Sequence, residues 1–184
     1  MANLTQAVEQ CQGPVKLHLG CGPNLLEGWI NIEGDYIGEK PGITVHNITE
    51  PYPIPDESVD EILSVHVIEH IMHSEVAPMM QEWHRILKPD GFVAVEWPDI
   101  LKMCQYIVYR PDSLWTQDRK IQKMTLAGIF GNIGKYKDPA MLHKWGYSAE
   151  SMCRLFEDNG FSKTEIQTNK YRKTKNDSRV VAWK

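Results

Sequence analysis

The run Val15-Lys16-Leu17-His18-Leu19 alternates apolar and polar residues and leads straight into Gly20-Cys21-Gly22-Pro23-Asn24. A period of two is the repeat of a strand, and glycine lets a chain reverse without a Cβ clash. This pairing constrains the fold more than any other feature, because a strand emptying into G-x-G leaves N–H donors and open space where a ligand can reach the backbone. A dinucleotide fingerprint would need a third glycine where Leu25 stands, and no Gly-Lys-Ser/Thr ending follows. NAD and ATP are therefore poor candidates for its ligand.

Further strands follow the same plan. Trp29 to Ile32 ends at Glu33-Gly34-Asp35, and Ile43 to His46 ends at Asn47. After the proline-rich loop from Pro51 to Pro55, Ser58 to His66 reads as a fourth strand. Val76, Met79, Met80, Trp83, Ile86 and Leu87 then recur at three- and four-residue intervals, the stripe of an amphipathic helix, which Lys88-Pro89-Asp90-Gly91 stops. Phe92 to Trp97 makes a fifth strand closed by Pro98-Asp99. Ser148 is a helix N-cap, with Met152, Leu155 and Phe156 on one face and Asn159-Gly160 as the stop. Strands at 164–167 and 179–183, joined by a short basic run, suit an antiparallel hairpin at a sheet edge.

Alternating strands and helices predict an α/β domain with a mostly parallel sheet, helices on both faces and a ligand site at the carboxyl ends of the strands. At 184 residues the chain reads as a single domain over 1–184. The stretch 101–147 breaks the rhythm with aromatics, prolines and Gly128, Gly131 and Gly134, and reads as a partly helical cover over the site.

A formal charge of −4 offers no general attraction to nucleic acid or to an anionic membrane surface. The basic run Lys170, Arg172, Lys173 and Lys175 reads as the solvated tip of the hairpin. Cysteines at 11, 21, 104 and 153 show no C-x-x-C spacing, and the first residues lack an apolar signal core, so a cytoplasmic setting is expected. No run of 18 apolar residues suggests a membrane span.

Five stretches in order, LHLGCG at 17–22, Glu33 closing the second strand, HNI at 46–48, SVDEILSVHVIEH at 58–70 and RILKPDGFVAVEWPD at 85–99, resemble the class I S-adenosylmethionine-dependent methyltransferases of the small, methyltransferase-domain-11-like kind. The resemblance implies a Rossmann-like, doubly wound seven-stranded sheet with an antiparallel C-terminal strand, and S-adenosylmethionine as cofactor. It further implies that Gly20, Cys21 and Gly22 pass close to the methionine part and that Glu33 accepts from both ribose hydroxyls. Asn47 and the Ile48 backbone would meet the adenine, and His66 would line the methionine side. His18 departs from the pattern, standing where the family often has Asp. Only eleven positions separate Gly22 from Glu33, too few for a full crossover helix, so a shortened helical turn is expected between Pro23 and Gly28.

The segment His66-x-x-Glu69-His70 is also the inverted form of a zinc-hydrolase motif. Zinc would need His66 and His70 on one helical face and a third ligand from elsewhere. The strand assignment puts His66 before the helix, and spacing nominates no third ligand, so the expectation is no metal. Glu69 and His70 are expected in the first turn of a helix, where Glu69 would suit the positive dipole end, and His73 at the surface without a partner.

Methyl transfer needs alignment first, and a base only if the attacking atom carries a proton. His143, in HKWGYS, is the leading candidate for that base, with Asp99 and His66 behind it; Trp97, Tyr136, Trp145 and Tyr147 are candidates for an acceptor pocket. The HKWGYS stretch is similar to one in small methyltransferases found with sugar-modifying enzymes, which implies a small-molecule or glycan acceptor. No N/D-P-P-Y/F motif follows the fourth strand, so DNA is a poor fit. The alternatives are a non-catalytic S-adenosylmethionine-binding partner domain and, more remotely, a zinc hydrolase.

Overall fold

The computed structural model describes residues 3–34, 40–131, 139–172 and 174–184. Asp35, Gly34's neighbour at the end of the second strand, together with Gly134, Tyr136 and Lys173, therefore lies outside the described residues.

Among the described residues, β1 (Lys16–Leu19), β2 (Ile30–Glu33), β3 (Ile43–Val45), β4 (Val59–Val65), β5 (Leu87–Pro98), β6 (Lys163–Gln167) and β7 (Asp177–Trp183) form one sheet in the order β3-β2-β1-β4-β5-β7-β6. Every pairing from β3 across to β5 is parallel, and β7 runs antiparallel to both of its neighbours. The expected hairpin forms with β6 at the edge and β7 inside it. The chain leaves β1 toward β2 and β3, then returns to the other side of β1 with β4. That reversal is the switch point at which sheets of this kind open a crevice.

Hydrophobic spacing explains the main core. The helix α2 (His73–Ile86) buries Val76, Met79, Met80, Trp83 and Ile86 against Leu17, Leu19, Ile62, Val93 and Val95 of the sheet. The short N-terminal α1 (Leu4–Glu9) adds Leu4 to the same cluster. Leu87 belongs to the strand rather than to the helix stripe: Lys88 precedes Pro89, where helical backbone is disfavoured, and Leu87 already pairs with Val59. Asp90, at φ +63°, and a register shift let β5 carry the Lys88-Pro89-Asp90-Gly91 segment within a single bent strand.

The expected helical turn between Pro23 and Gly28 does not form; the segment runs as turns. Asn31 replaces the hydrogen bonds a helix would have made, its Oδ1 accepting from Leu26 N (2.9 Å) and its Nδ2 donating to Leu26 O and Trp29 O. Leu26 and Trp29 from this segment pack on a smaller second cluster of Leu63, Ala94 and Val181.

After β5 come α3 (Ile100–Tyr109), α4 (Arg119–Lys123) and α5 (Leu126–Phe130), followed by α6 (Ala149–Asp158). Ser148 caps α6 through Ser151 N, and Met152 and Phe156 point into the main core.

Candidate active site

A crevice of about 790 Å³ lies at the carboxyl ends of β1, β2 and β4, within the usual size range of small-molecule sites. Its wall includes Gly20, Cys21, Gly22, Glu33, Asn47, Ile48 and His66. The strand order thus brings together every residue that the resemblance nominated for a cofactor.

Gly20 and Gly22 have φ of +61° and +52°, the left-handed region that favours glycine. A Cβ on Gly20 would strike Val67 Cγ2, whereas one on Gly22 would meet nothing within 4 Å. Glu33 is buried at 6% exposure, and its carboxylate accepts from Gly22 N (2.7 Å) and Gly34 N (3.0 Å). The carboxylate and the glycine turn therefore fix one another. Asn47 Oδ1 accepts from Thr49 N and Thr49 Oγ1, which sets its side chain at the crevice edge.

His18 lies in the same wall and meets Asn31 Oδ1 through Nδ1 at 3.1 Å. Burial depresses its proton affinity, only partly offset by Asn31 and Glu33. Burial, and then the charge of Glu33, pushes the Cys21 thiol up to about 11.

The segment after β4 departs from expectation. Ile68–His70 forms a separate turn of 3₁₀ helix, and α2 begins only at His73. Glu69 sits in that 3₁₀ turn and not in the first turn of α2, and its carboxylate is buried at 1% exposure. His66, at φ +57°, closes β4 and places Nδ1 3.3 Å from Glu69 Oε1 and Nε2 3.0 Å from Asp177 Oδ2. The first contact is close but not aligned as a hydrogen bond; the second is. Burial alone would lower the His66 proton affinity, but Asp177 and Glu69 outweigh it and push its pKa up to about 9.

His143 is not in the crevice wall. It packs edge-on to His70 at 4.8 Å and brings Nε2 to 4.0 Å from Glu69 Oε1. Folding therefore supplies from afar the third metal-ligating side chain that spacing could not nominate. The helical H-x-x-E-H geometry of a zinc hydrolase is nonetheless missing, since His66 ends a strand.

Other candidates are spent on structure. Asp99 is 2% exposed and accepts from Leu101 N, Lys102 N, Ala149 N and the Ser178 hydroxyl, so it caps α3 and ties it to α6 and is not at a mouth. Trp97 is wholly buried and donates to Tyr147 O, and Tyr147 is itself in the core, so neither lines an acceptor pocket. Trp145 is exposed and stacks on His73 at 4.4 Å, while Tyr147 Oη lies 3.3 Å from His73 Nδ1. His73 is at the surface as expected, but it has partners.

Sequence reasoning missed Met141, Lys144, Tyr171 and Arg172, which also line the crevice. The last two were legible only as part of a solvated tip. Their backbone N–H groups, with that of Lys170, instead point at the buried Glu96 carboxylate.

A methyltransferase-domain family matches residues 31–95 of this chain. No curated protein matches the sequence significantly. Among solved structures, a SAM-dependent methyltransferase from Archaeoglobus fulgidus is similar at 16% identity and a TM-score of 0.60, covering 97% of this chain and 90% of that one. A SAM-dependent methyltransferase from Methanosarcina mazei is similar at 15% identity and a TM-score of 0.59, covering 100% and 99%. A third, from Thermotoga maritima, gives 16% identity and a TM-score of 0.54, covering 97% and 86%. Several other similar structures are longer, and the chain spans about half of their length. At such identities the likeness speaks for the fold. Residues 31–95 thus match a methyltransferase-domain family, and the chain as a whole shares the Rossmann-like fold of the S-adenosylmethionine-dependent methyltransferases to which it is similar.

Proposed function

We propose that this chain transfers a methyl group from S-adenosylmethionine to a small-molecule or sugar-linked acceptor. The observation that carries the reading is Glu33, a buried carboxylate fixed by two backbone N–H groups in the crevice at the sheet's switch point. Glu33 is assigned to the ribose hydroxyls, since a carboxylate is acceptor-only and can take two donors. Gly20, Cys21 and Gly22 are assigned to the methionine part, where the side of Gly22 that a Cβ would occupy is open space. Asn47 and Ile48 are assigned to the adenine end, and His66 to the wall facing the methionine side.

When bound, the cofactor supplies a methyl group already made reactive by a positive sulfur. The protein's task is positioning, which can lower such a barrier by roughly 7 to 11 kcal/mol. A crevice whose wall includes Lys144, Tyr171 and Arg172 suits a polar acceptor. The negative net charge and the missing base-binding motif favour a small acceptor over DNA. His143, the candidate proton acceptor, stands behind His70 and not in the crevice wall, so no base is assigned. Among the described residues no helix is long and apolar enough to cross a membrane. The free cysteines fit a cytoplasmic setting.

Titration calorimetry with S-adenosylmethionine tests the central assignment. Glu33→Ala should weaken binding at least tenfold, equivalent to about 1.4 kcal/mol. Unchanged affinity would refute it. Screening acceptors with a radiolabelled methyl donor separates a catalyst from a silent binding domain, and labelled hydroxylated small molecules or glycans are the expected products.

A further inference from the structure

We propose that Glu69, His70 and His143 form a binding site for a divalent first-row transition-metal ion at the border of the crevice. One ligand atom from each lies within 4.8 Å of the others. His70 Nε2 and His143 Nε2 stand 3.9 and 4.0 Å from Glu69 Oε1. An ion with ligands at about 2.1 Å holds them about 3 to 3.5 Å apart, so small side-chain rotations close the site.

Two independent features point to a cation. The first is Glu69 itself: it is 1% exposed, and neither carboxylate oxygen receives an aligned hydrogen bond from the described residues. The His66 imidazole, 3.3 Å from Oε1, meets part of this charge, and the acceptor capacity of both oxygens stays unused by any aligned donor. The second is the tautomer of His70. Its Nδ1 lies 3.0 Å from Leu142 O, an acceptor-only carbonyl, so Nδ1 carries the proton. This turns Nε2, 3.9 Å from Glu69 Oε1, toward the carboxylate as the ring nitrogen placed to bind an ion. A backbone carbonyl on the far nitrogen is also the usual way a ligating histidine is oriented.

The surrounding chain holds this arrangement together. Lys144 N donates to Glu69 O at 2.7 Å, tying the loop that carries His143 to the turn that carries Glu69. His66, gripped by Asp177, stands beside Glu69 as a positioning residue. Two imidazoles and one carboxylate suit zinc, cobalt or manganese better than calcium or magnesium, which prefer all-oxygen sets. His70 belongs both to this cluster and to the crevice wall, so the ion would border the space assigned to cofactor and acceptor.

The test uses the full chain without a histidine tag, stripped with chelator and titrated with Zn²⁺ and Co²⁺ by calorimetry and visible absorption. The expected result is one ion per chain, with a nitrogen–oxygen Co²⁺ spectrum that lacks a thiolate band. His143→Ala and His70→Ala should each weaken binding at least about a hundredfold while thermal melts of the metal-free variants stay close to wild type. Glu69→Gln should do the same; if it fails to fold, the two histidine variants decide. Glu33→Ala should leave metal affinity unchanged, which separates failure of this site from failure of the cofactor assignment. The proposal is overturned if the wild type takes up neither ion, if a thiolate band shows cysteine ligation, or if neither histidine variant weakens binding. Any of these would leave Glu69 as the internal counter-ion of His66.

Discussion

Gly20 and Gly22 share a left-handed backbone but not the same surroundings. Alanine at either position costs about 1–2 kcal/mol for the backbone, and at position 20 a collision with Val67 is added. Gly20→Ala should therefore lower the melting temperature further than Gly22→Ala, by at least several degrees in this size class, and equal shifts would show that Val67 simply yields. Cys21 gives a second residue-level prediction. With burial and Glu33 holding its thiol near 11, roughly one molecule in a thousand is thiolate at pH 8, so iodoacetamide should modify exposed Cys104 at least tenfold faster, as read by peptide mass mapping. Comparable rates would contradict the buried environment assigned to the turn. The glycines and Glu33 were legible in the sequence because each is fixed by its own strand end. Glu69, His70 and His143 were not: their relation exists only once the loop carrying His143 is hydrogen-bonded to the turn after β4, a contact no local pattern encodes.

At the scale of elements, the hairpin between β6 and β7 is held by one buried group. Glu96 of β5 is fully buried, pairs with Arg179 Nη1 at 2.8 Å, and accepts from the N–H groups of Lys170, Tyr171 and Arg172. Removing one partner of a buried pair leaves the other charge uncompensated, so Glu96→Ala should lose about 3–5 kcal/mol in urea unfolding. Because Tyr171 and Arg172 line the crevice, cofactor affinity should fall in the same variant. A loss below about 1 kcal/mol would mean that the connection is not anchored there. The helix stripe of α2 and the strand ends were readable from periodicity alone. The crossover from β1 to β2 was misread because Asn31 satisfies the backbone groups that a helical turn would otherwise have served. The tip after β6 was read as solvated from its lysines and arginine, whose side chains hide a backbone turned toward Glu96.

For the molecule as a whole, alternation of strands and helices was enough to indicate a mostly parallel sheet, and the order β3-β2-β1-β4-β5-β7-β6 places its switch point between β1 and β4. Function follows from that single topological fact, because the glycine turn, Glu33, the Asn47–Ile48 corner and His66 come from four different strand ends and meet only there. The most direct measurement is a crystal structure with S-adenosylhomocysteine. The account predicts density in the crevice with the ribose diol on the Glu33 carboxylate and the amino-acid end against Gly20 to Gly22. An empty crevice, or the nucleoside bound at a site that leaves Glu33 without contact, would contradict it.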